Sequence, residues 1–510
     1  MKKKNLLFIT TDQWRAESLS LVDHPVVKTP NLDALAADGV LFENTFTQCI
    51  PSGPGRASMY TGMYMQNHRS LENGTPLDAR HTNIALEFRK LGYAPALVGY
   101  TDTTQDPRLY SPNDPELRTY ESILPGFKCL AMSSEEFPED WAMWLDEKGY
   151  PVPDNPRDLY YKAVEGYPGA EGKGKTYSPS PYPKELSETA FVTYNAEKFI
   201  KKSGSKPWFL HMSYLKPHRP YLAPEPYNKM YSLEKIPAFK RSSTLEEEAK
   251  QHPLLEYKLK QSFHTGDYSA DIYPRDDKSL KQLRATYYGL MTEVDDNIGK
   301  VVDLLKKTGQ YENTVIIFTS DHGAQLGDHH IIGQAPYFDQ TFHVPLIIRI
   351  PEGENWHVER GTRVHAFTEI IDILPTALNI FGGEIPIQCD GRSLVPFLYG
   401  GRPKNFRTEA HWEVDFRYDE PGTDFERSSL NVIRDNDYKY VHFAEMPDLL
   451  FDIKNDPDEL HNLAEDPLYS KIMLKYVKKL LSWRMENDER TLTHLMAGPD
   501  GFSQKPKTYN

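Results

Sequence analysis

Ser52, Pro54, Arg56, Thr61 and Gly62 stand in one stretch, CIPSGPGRASMYTG (residues 49–62), with the spacing S-x-P-x-R-x-x-x-x-T-G. Pro54 has its φ pre-set for a first helical turn, and Gly53 before it accepts almost any backbone angle. Ser52 is therefore expected at or just before a helix N-terminus, where free N–H groups and the helix dipole favour an anion. Arg56 adds a permanent, fork-shaped cation one turn in. A hydroxyl, an anion-favouring helix end and a guanidinium within five residues suit chemistry on an oxyanion ester. Taken alone, Ser, Gly and Pro ahead of a short helix are also ordinary capping chemistry.

Two further clusters could do chemistry. Asp12 and Gln13 follow the apolar run Leu6 to Thr10, and Asp321 and His322 follow the run Thr314 to Thr319. Open α/β sheets bind ligands at the carboxyl ends of their strands. Two carboxylates, an amide oxygen and an imidazole make a divalent-cation site, with the imidazole leaning it toward Mn²⁺ over Ca²⁺. Singly, each of these residues reads equally well as a turn or cap. His218 lies in Lys216-Pro217-His218-Arg219-Pro220, where the prolines stiffen the backbone and aim the ring. It reads either as a surface histidine or as a proton donor to a leaving group or reacting oxyanion.

These residues need a scaffold of buried strands and covering helices. Leu6 to Thr10, Ala94 to Gly99, Trp208 to Tyr214 and Thr314 to Thr319 are short continuous apolar runs, the pattern of strands buried on both faces. Helices are expected from Thr29-Pro30 onward, over Ile84–Leu91 and Leu186–Lys201, and over Leu283–Leu305, whose apolar stripe is core packing. The second strand ends in Tyr100-Thr101-Asp102. Residues 103–182 and 225–282 are irregular, polar excursions, the first roofing the site rather than forming a domain. After Arg407, short alternating runs such as Tyr438–Phe443 suggest an antiparallel sheet, followed by a helix from about Leu468 to Arg484. The expected fold is α/β: a large doubly wound mixed sheet flanked by helices, with a smaller C-terminal antiparallel sheet plus helix.

Composition narrows the partners. The 510 residues are 39% hydrophobic and 12% aromatic, enough for a large core, and 39 Pro and 31 Gly argue against a helical bundle. A net charge of -14 argues against nucleic acid or an anionic membrane as partner, while leaving room for a local cationic pocket. Three widely spaced cysteines, Cys49, Cys129 and Cys389, form no disulfide framework and suit a reducing compartment. The N-terminal apolar run is shorter than a signal peptide's, and no run approaches a membrane span. A cytoplasmic protein acting on a small anionic ester is expected.

The undecamer from Ser52 resembles the signature of the sulfatase family of the alkaline phosphatase superfamily, in which the first residue becomes a formylglycine nucleophile. Most members carry Cys there and a minority Ser. Cys49 does not fit the frame, because Gly53 fills its Arg position. Stretches such as TTDQWRAE, YMQNHRSLEN, FTSDHGAQLGDHH and LLFDIKNDPDELHNLA extend the resemblance over essentially the whole chain, toward phosphonate monoester hydrolases and related arylsulfatases. The resemblance implies an alkaline-phosphatase-like fold, with Asp12, Gln13, Asp321 and His322 as ligands of one divalent ion (Mn²⁺ or Ca²⁺). It makes Ser52, Arg56, Asn73 and His218 catalytic, and places Tyr100, Asp102 and Gln334 in the substrate pocket. It implies a catalytic domain over 1–400, an α+β subdomain over 401–485 and an oligomerisation arm over 486–510, hence a homodimer or homotetramer.

Three residues depart from the resembled pattern. With Ser52 in place of Cys, formylglycine requires a radical-type, Ser-specific maturase. Gln334 stands where relatives carry Lys, and Asp102 where they carry Thr or a basic residue, so the pocket is less positive. The expected activity is metal-dependent hydrolysis of sulfate esters or phosphonate monoesters through formylglycine at position 52. Two alternatives stay open: phosphodiesterase or phosphatase chemistry with unmodified Ser52, and a degenerate member that binds an anion without turnover.

Overall fold

The apolar run near the N-terminus forms β1 (Asn5–Thr11), every residue of it buried. In a computed structural model that describes residues 3–261, 276–353, 358–417 and 427–504, it lies centrally in an eight-stranded sheet. The other strands are β2 (Val40–Phe46), β3 (Ala96–Val98), β4 (Lys128–Ala131), β5 (Phe209–Ser213), β6 (Thr314–Ser320), β7 (His343–Arg349) and β8 (Thr362–Glu369). Their order is β4-β3-β5-β1-β6-β7-β2-β8. β1 runs parallel to β5 and β6, whereas β7 is antiparallel to β6. The sheet is therefore mixed, as expected, with the strands that carry chemistry in its parallel centre.

Helices α1 (Pro30–Ala37), α2 (Ser52–Thr61), α3 (Glu188–Ser203) and α4 (Asp277–Lys307) follow the expected segments. Ser187 caps α3 by accepting the Ala190 N–H, and Asp276 caps α4 through the Ser279 N–H. The α4 stripe, including Leu283, Tyr287, Met291, Val294, Ile298 and Leu305, is fully buried in one cluster with β1, β5 and β6 side chains. Strands β2, β7 and β8 lie outside the apolar runs singled out above. β2 carries Glu43, Asn44 and Thr45, β7 an internal Pro345, and β8 Arg363, His365 and Thr368, so none reads as a continuous apolar run. The 103–182 excursion also contributes β4 at the sheet's edge and places Trp141 and Tyr160 in the core.

The chain divides into two interleaved units: 1–43, 93–101 and 127–364, and 44–92, 102–126 and 365–510. The second contains a four-stranded antiparallel sheet, β9 (Ala410–Asp415), β10 (Ser429–Arg434), β11 (Tyr438–Phe443) and β12 (Leu449–Asp452), in the order β12-β11-β10-β9. Helix α5 (Ser470–Glu486) packs Tyr476, Leu480 and Trp483 against it. A hairpin, β13 (Leu495–Gly498) and β14 (Gly501–Gln504), follows. Of the expected arm, residues 505–510 lie outside the described residues.

Candidate active site

In the first unit, pairing register builds a cation site. Thr11 is opposite Ser320 in the parallel β1–β6 pair, so Asp12 and Asp321 leave the sheet side by side. One ligand atom from each of Asp12, Asp321 and His322 lies within 4.8 Å of the others. His322 Nε2 is 3.6 Å from Asp12 Oδ1 and 4.0 Å from Asp321 Oδ1, and the three residues are at most 1% exposed. Two carboxylates this close, out of water, repel one another unless a cation lies among them. His322 Nδ1 is 2.9 Å from the Gly323 carbonyl, which assigns the proton to Nδ1 and leaves the Nε2 lone pair toward the carboxylates. That is the tautomer a metal-binding imidazole needs. The donor set fits a divalent ion.

The neighbours hold this set in place. Tyr100 donates a 2.6 Å hydrogen bond to Asp12 Oδ2. The Gln334 amide nitrogen is 2.8 Å from His322 Nε2. Gln13 takes a left-handed φ of 66°, its N–H donates to Asp321 Oδ1 at 3.3 Å, and its side-chain Oε1 accepts from Tyr221 at 3.4 Å. A non-glycine residue in that region is strained and persists only where its surroundings enforce it. Here the Tyr287 hydroxyl donates to the Gln13 carbonyl at 2.5 Å.

His218 lies in the loop after β5. Buried Lys216 shapes that loop by donating to the carbonyls of His218 (3.1 Å) and Pro220 (3.0 Å). His218 Nδ1 is 3.6 Å from Glu135 Oε1. Burial alone would lower the His218 pKa, but the Asp12 and Glu135 carboxylates outweigh it and raise it above the ordinary value. Burial likewise works to raise the Glu135 pKa, but His218 and Lys216 outweigh it and lower it from its ordinary value. Sequence reasoning gave neither Glu135 nor Lys216 a role. Glu135 sits in an irregular excursion with no periodicity or motif, whereas Lys216 was visible as a basic residue flanking His218.

The second unit carries Ser52, Arg56, Asn73 and Asp102. Ser52 is the first residue of α2, with Pro51 at its N-cap and Gly62 closing it at φ 69°. Ser52 is 5% exposed and Arg56 fully buried. Asn73 Oδ1 accepts the Gly53 N–H at 2.8 Å, using one of the free amides of the first turn. A Cβ at Gly53 would lie 2.9 Å from that Asn73 oxygen, so a larger residue there would displace the Asn73 side chain. Arg56 Nε lies 4.0 Å from Asp102 Oδ2, and Asp102 has a left-handed φ of 46°. Cys49 is buried, and burial pushes its thiol well above the usual range, so it offers no thiolate.

The sulfatase family model matches residues 4–383. The chain belongs to the sulfatase family. A second model, the C-terminal part of N-sulphoglucosamine sulphohydrolase, matches residues 327–486. The chain is similar to a multifunctional alkaline phosphatase superfamily protein, PehA, of Trinickia caryophylli, 43% identical over 99% of this chain and 100% of the relative. An arylsulfatase of Clostridium perfringens is 29% identical over 96% of each chain. Among solved structures, a phosphonate monoester hydrolase of Agrobacterium radiobacter superposes with TM-score 0.93 at 40% identity, covering 99% of this chain and all of that one. This sulfatase thus has the alkaline-phosphatase-like fold expected from its sequence, and family membership makes it a metal-dependent hydrolase of sulfate or phosphonate esters.

Proposed function

We propose that this sulfatase hydrolyses sulfate esters, phosphonate monoesters or both, with a formylglycine nucleophile generated from Ser52. The observation that carries the reading is the buried Asp12–Asp321–His322 cluster at adjoining strand ends. Asp12, Gln13, Asp321 and His322 would hold one divalent ion, Mn²⁺ or Ca²⁺. Such an ion supplies Lewis-acid stabilisation of charge on the reacting oxygens. Formylglycine, formed by a two-electron oxidation of Ser52 by a radical-type maturase, supplies a geminal diol in place of a plain hydroxyl.

The chain's own groups then take the following roles. The positive end of the α2 dipole and the Arg56 guanidinium bind the reacting oxyanion. Asn73 holds the first turn of α2 and Tyr100 orients Asp12, while Asp102 sets the charge beside Arg56 and Gln334 that beside His322. His218, beside the Glu135 carboxylate, donates its proton to the leaving oxygen. Substrates of the named relatives support the ester class: the similar chains include an arylsulfatase and phosphonate monoester hydrolases.

The proposed organisation is a catalytic region over 1–400, an α+β subdomain over 401–485 and an arm over 486–510 that joins copies into a homodimer or homotetramer. Exposed Leu492, Met496 and Phe502 on that arm support the last point. A cytoplasmic location fits the three free cysteines, and among the described residues no helix is long and apolar enough to cross a membrane.

The test is a substrate panel on metal-loaded protein whose Cys49–Arg56 peptide has been weighed, since oxidised serine is two hydrogens lighter. Turnover of aryl sulfate or phosphonate by the oxidised form is expected. Full activity with unoxidised Ser52 would replace formylglycine chemistry by a serine nucleophile. No turnover of either ester class by the oxidised, loaded protein sinks the proposal.

A further inference from the structure

The Arg56–Asp102 pair places a carboxylate where an anion-binding site would be expected to keep its cation free. Arg56 is fully buried, and the Asp102 side chain is 5% exposed, with 4.0 Å between Nε and Oδ2. At that separation, away from water, the carboxylate cancels much of the field that the guanidinium would offer an incoming oxyanion. Asp102 is also held tightly. Its φ of 46° is a conformation that L-residues other than Asn and Asp seldom adopt. Its carbonyl oxygen lies 3.4 Å from where a Gly53 Cβ would stand, against the first turn of α2 and one residue from Ser52. The negative charge is thus a fixed part of the pocket beside the nucleophile position.

We infer that Asp102 is a specificity-determining residue. It selects esters whose reacting group carries one negative charge (sulfate monoesters, phosphonate monoesters, phosphate diesters) and rejects phosphate monoester dianions. The inference rests on the hydrolase reading above and names its substrate charge. A second unit charge held about 6 Å from a carboxylate, at an effective dielectric constant of about 20, is disfavoured by on the order of a hundredfold. A phosphate monoester changes from dianion to monoanion near pH 6. The same carboxylate therefore makes phosphate monoester turnover rise, relative to sulfate turnover, as pH falls through 6.

Asp102→Asn and Asp102→Gly both suit a left-handed φ and remove the charge, the first keeping the side chain's shape and the second deleting it. The readout is kcat/KM for p-nitrophenyl sulfate, p-nitrophenyl phenylphosphonate and p-nitrophenyl phosphate at pH 5.5 and 7.5. Metal-loaded protein of known Ser52 oxidation state is used, with melting curves confirming that each variant folds. Both variants are expected to raise the phosphate-to-sulfate ratio at pH 7.5 by ten- to a hundredfold and to flatten its pH dependence. An unchanged ratio, or a parallel fall for all three substrates showing that Asp102 only holds Arg56, overturns the inference. Wild-type protein that turns over none of the three overturns the hydrolase reading and this inference with it.

Discussion

The Gln334 amide lies 2.8 Å from Nε2 of His322, the nitrogen whose lone pair is aimed at Asp12 and Asp321. A neutral amide thus occupies the position from which a lysine would add positive charge to the site. One preorganised cation or hydrogen-bond donor at developing charge contributes about 3–4 kcal/mol to a transition state. Gln334→Lys should therefore raise kcat on an aryl sulfate or phosphonate, by up to several hundredfold, from a measurable wild-type rate. Steady-state kinetics on matched metal-loaded samples check this. A rate that appears in the variant from a wild-type baseline of zero favours the degenerate, anion-binding alternative instead.

Metal occupancy should depend on the Asp12–Tyr100 contact. The 2.6 Å bond from the Tyr100 hydroxyl fixes the Asp12 carboxylate and leaves its Oδ1 toward His322. Removing such an orienting partner from a metal ligand typically costs ten- to a hundredfold in affinity. Tyr100→Phe is expected to weaken Mn²⁺ binding in that range, and Asp321→Asn to abolish it, both by calorimetric titration of chelator-treated protein. The ion should also raise the melting temperature of the wild type, since a ligand at a hundred times its Kd stabilises by about 2.7 kcal/mol. Equal affinity in wild type and Asp321→Asn would place the ion elsewhere.

The buried carboxyls of Glu188 and Glu293 give a pH dependence of known sign. Burial pushes each from 4.5 up to about 7, partly offset by Lys216 and by hydroxyl donors. The folded state then binds more protons than the unfolded one between about pH 4.5 and 7, so stability falls as pH rises across that window. A shift of this size corresponds to at most about 3 kcal/mol per group. Glu293→Gln should melt higher than wild type at pH 8 and close to it at pH 5. Melting curves that stay parallel across this range would show that Glu293 titrates normally.

The sequence exposed most of what carries chemistry, because strand ends and helix starts are local features. Thr314–Ser320 is apolar and β-branched, so it was legible as a strand, and Asp321 and His322 were legible as its carboxyl end. The S-x-P-x-R frame likewise announced the start of α2 at Ser52. What stayed hidden depends on contacts between distant residues. Glu135 reaches His218 across 83 positions of sequence, and Asp102, at a left-handed φ, comes within 4.0 Å of Arg56 from 46 positions away. β2, its apolar residues interrupted by Glu43, Asn44 and Thr45, takes its place between β7 and β8 in the sheet, which no window of its own residues reveals.

Gly99 shows how tightly the sheet centre constrains the segment that delivers Tyr100. Gly99 has φ +103°, and a Cβ there would stand 2.0 Å from the Ser213 carbonyl oxygen at the end of β5. β3 and β5 are parallel neighbours, so relieving that overlap means parting two strands or shifting the loop that leads to Tyr100. Gly99→Ala is expected to lose about 2–5 kcal/mol, the sum of a left-handed alanine and an overpacked core. Gly149 supplies the control: its φ is +74° but no atom lies within 4 Å of an added Cβ, so Gly149→Ala should lose only about 1 kcal/mol. Denaturant midpoints of the two variants measure the difference directly. Equal losses would mean that backbone strain, rather than the close approach of β5, makes glycine necessary before Tyr100.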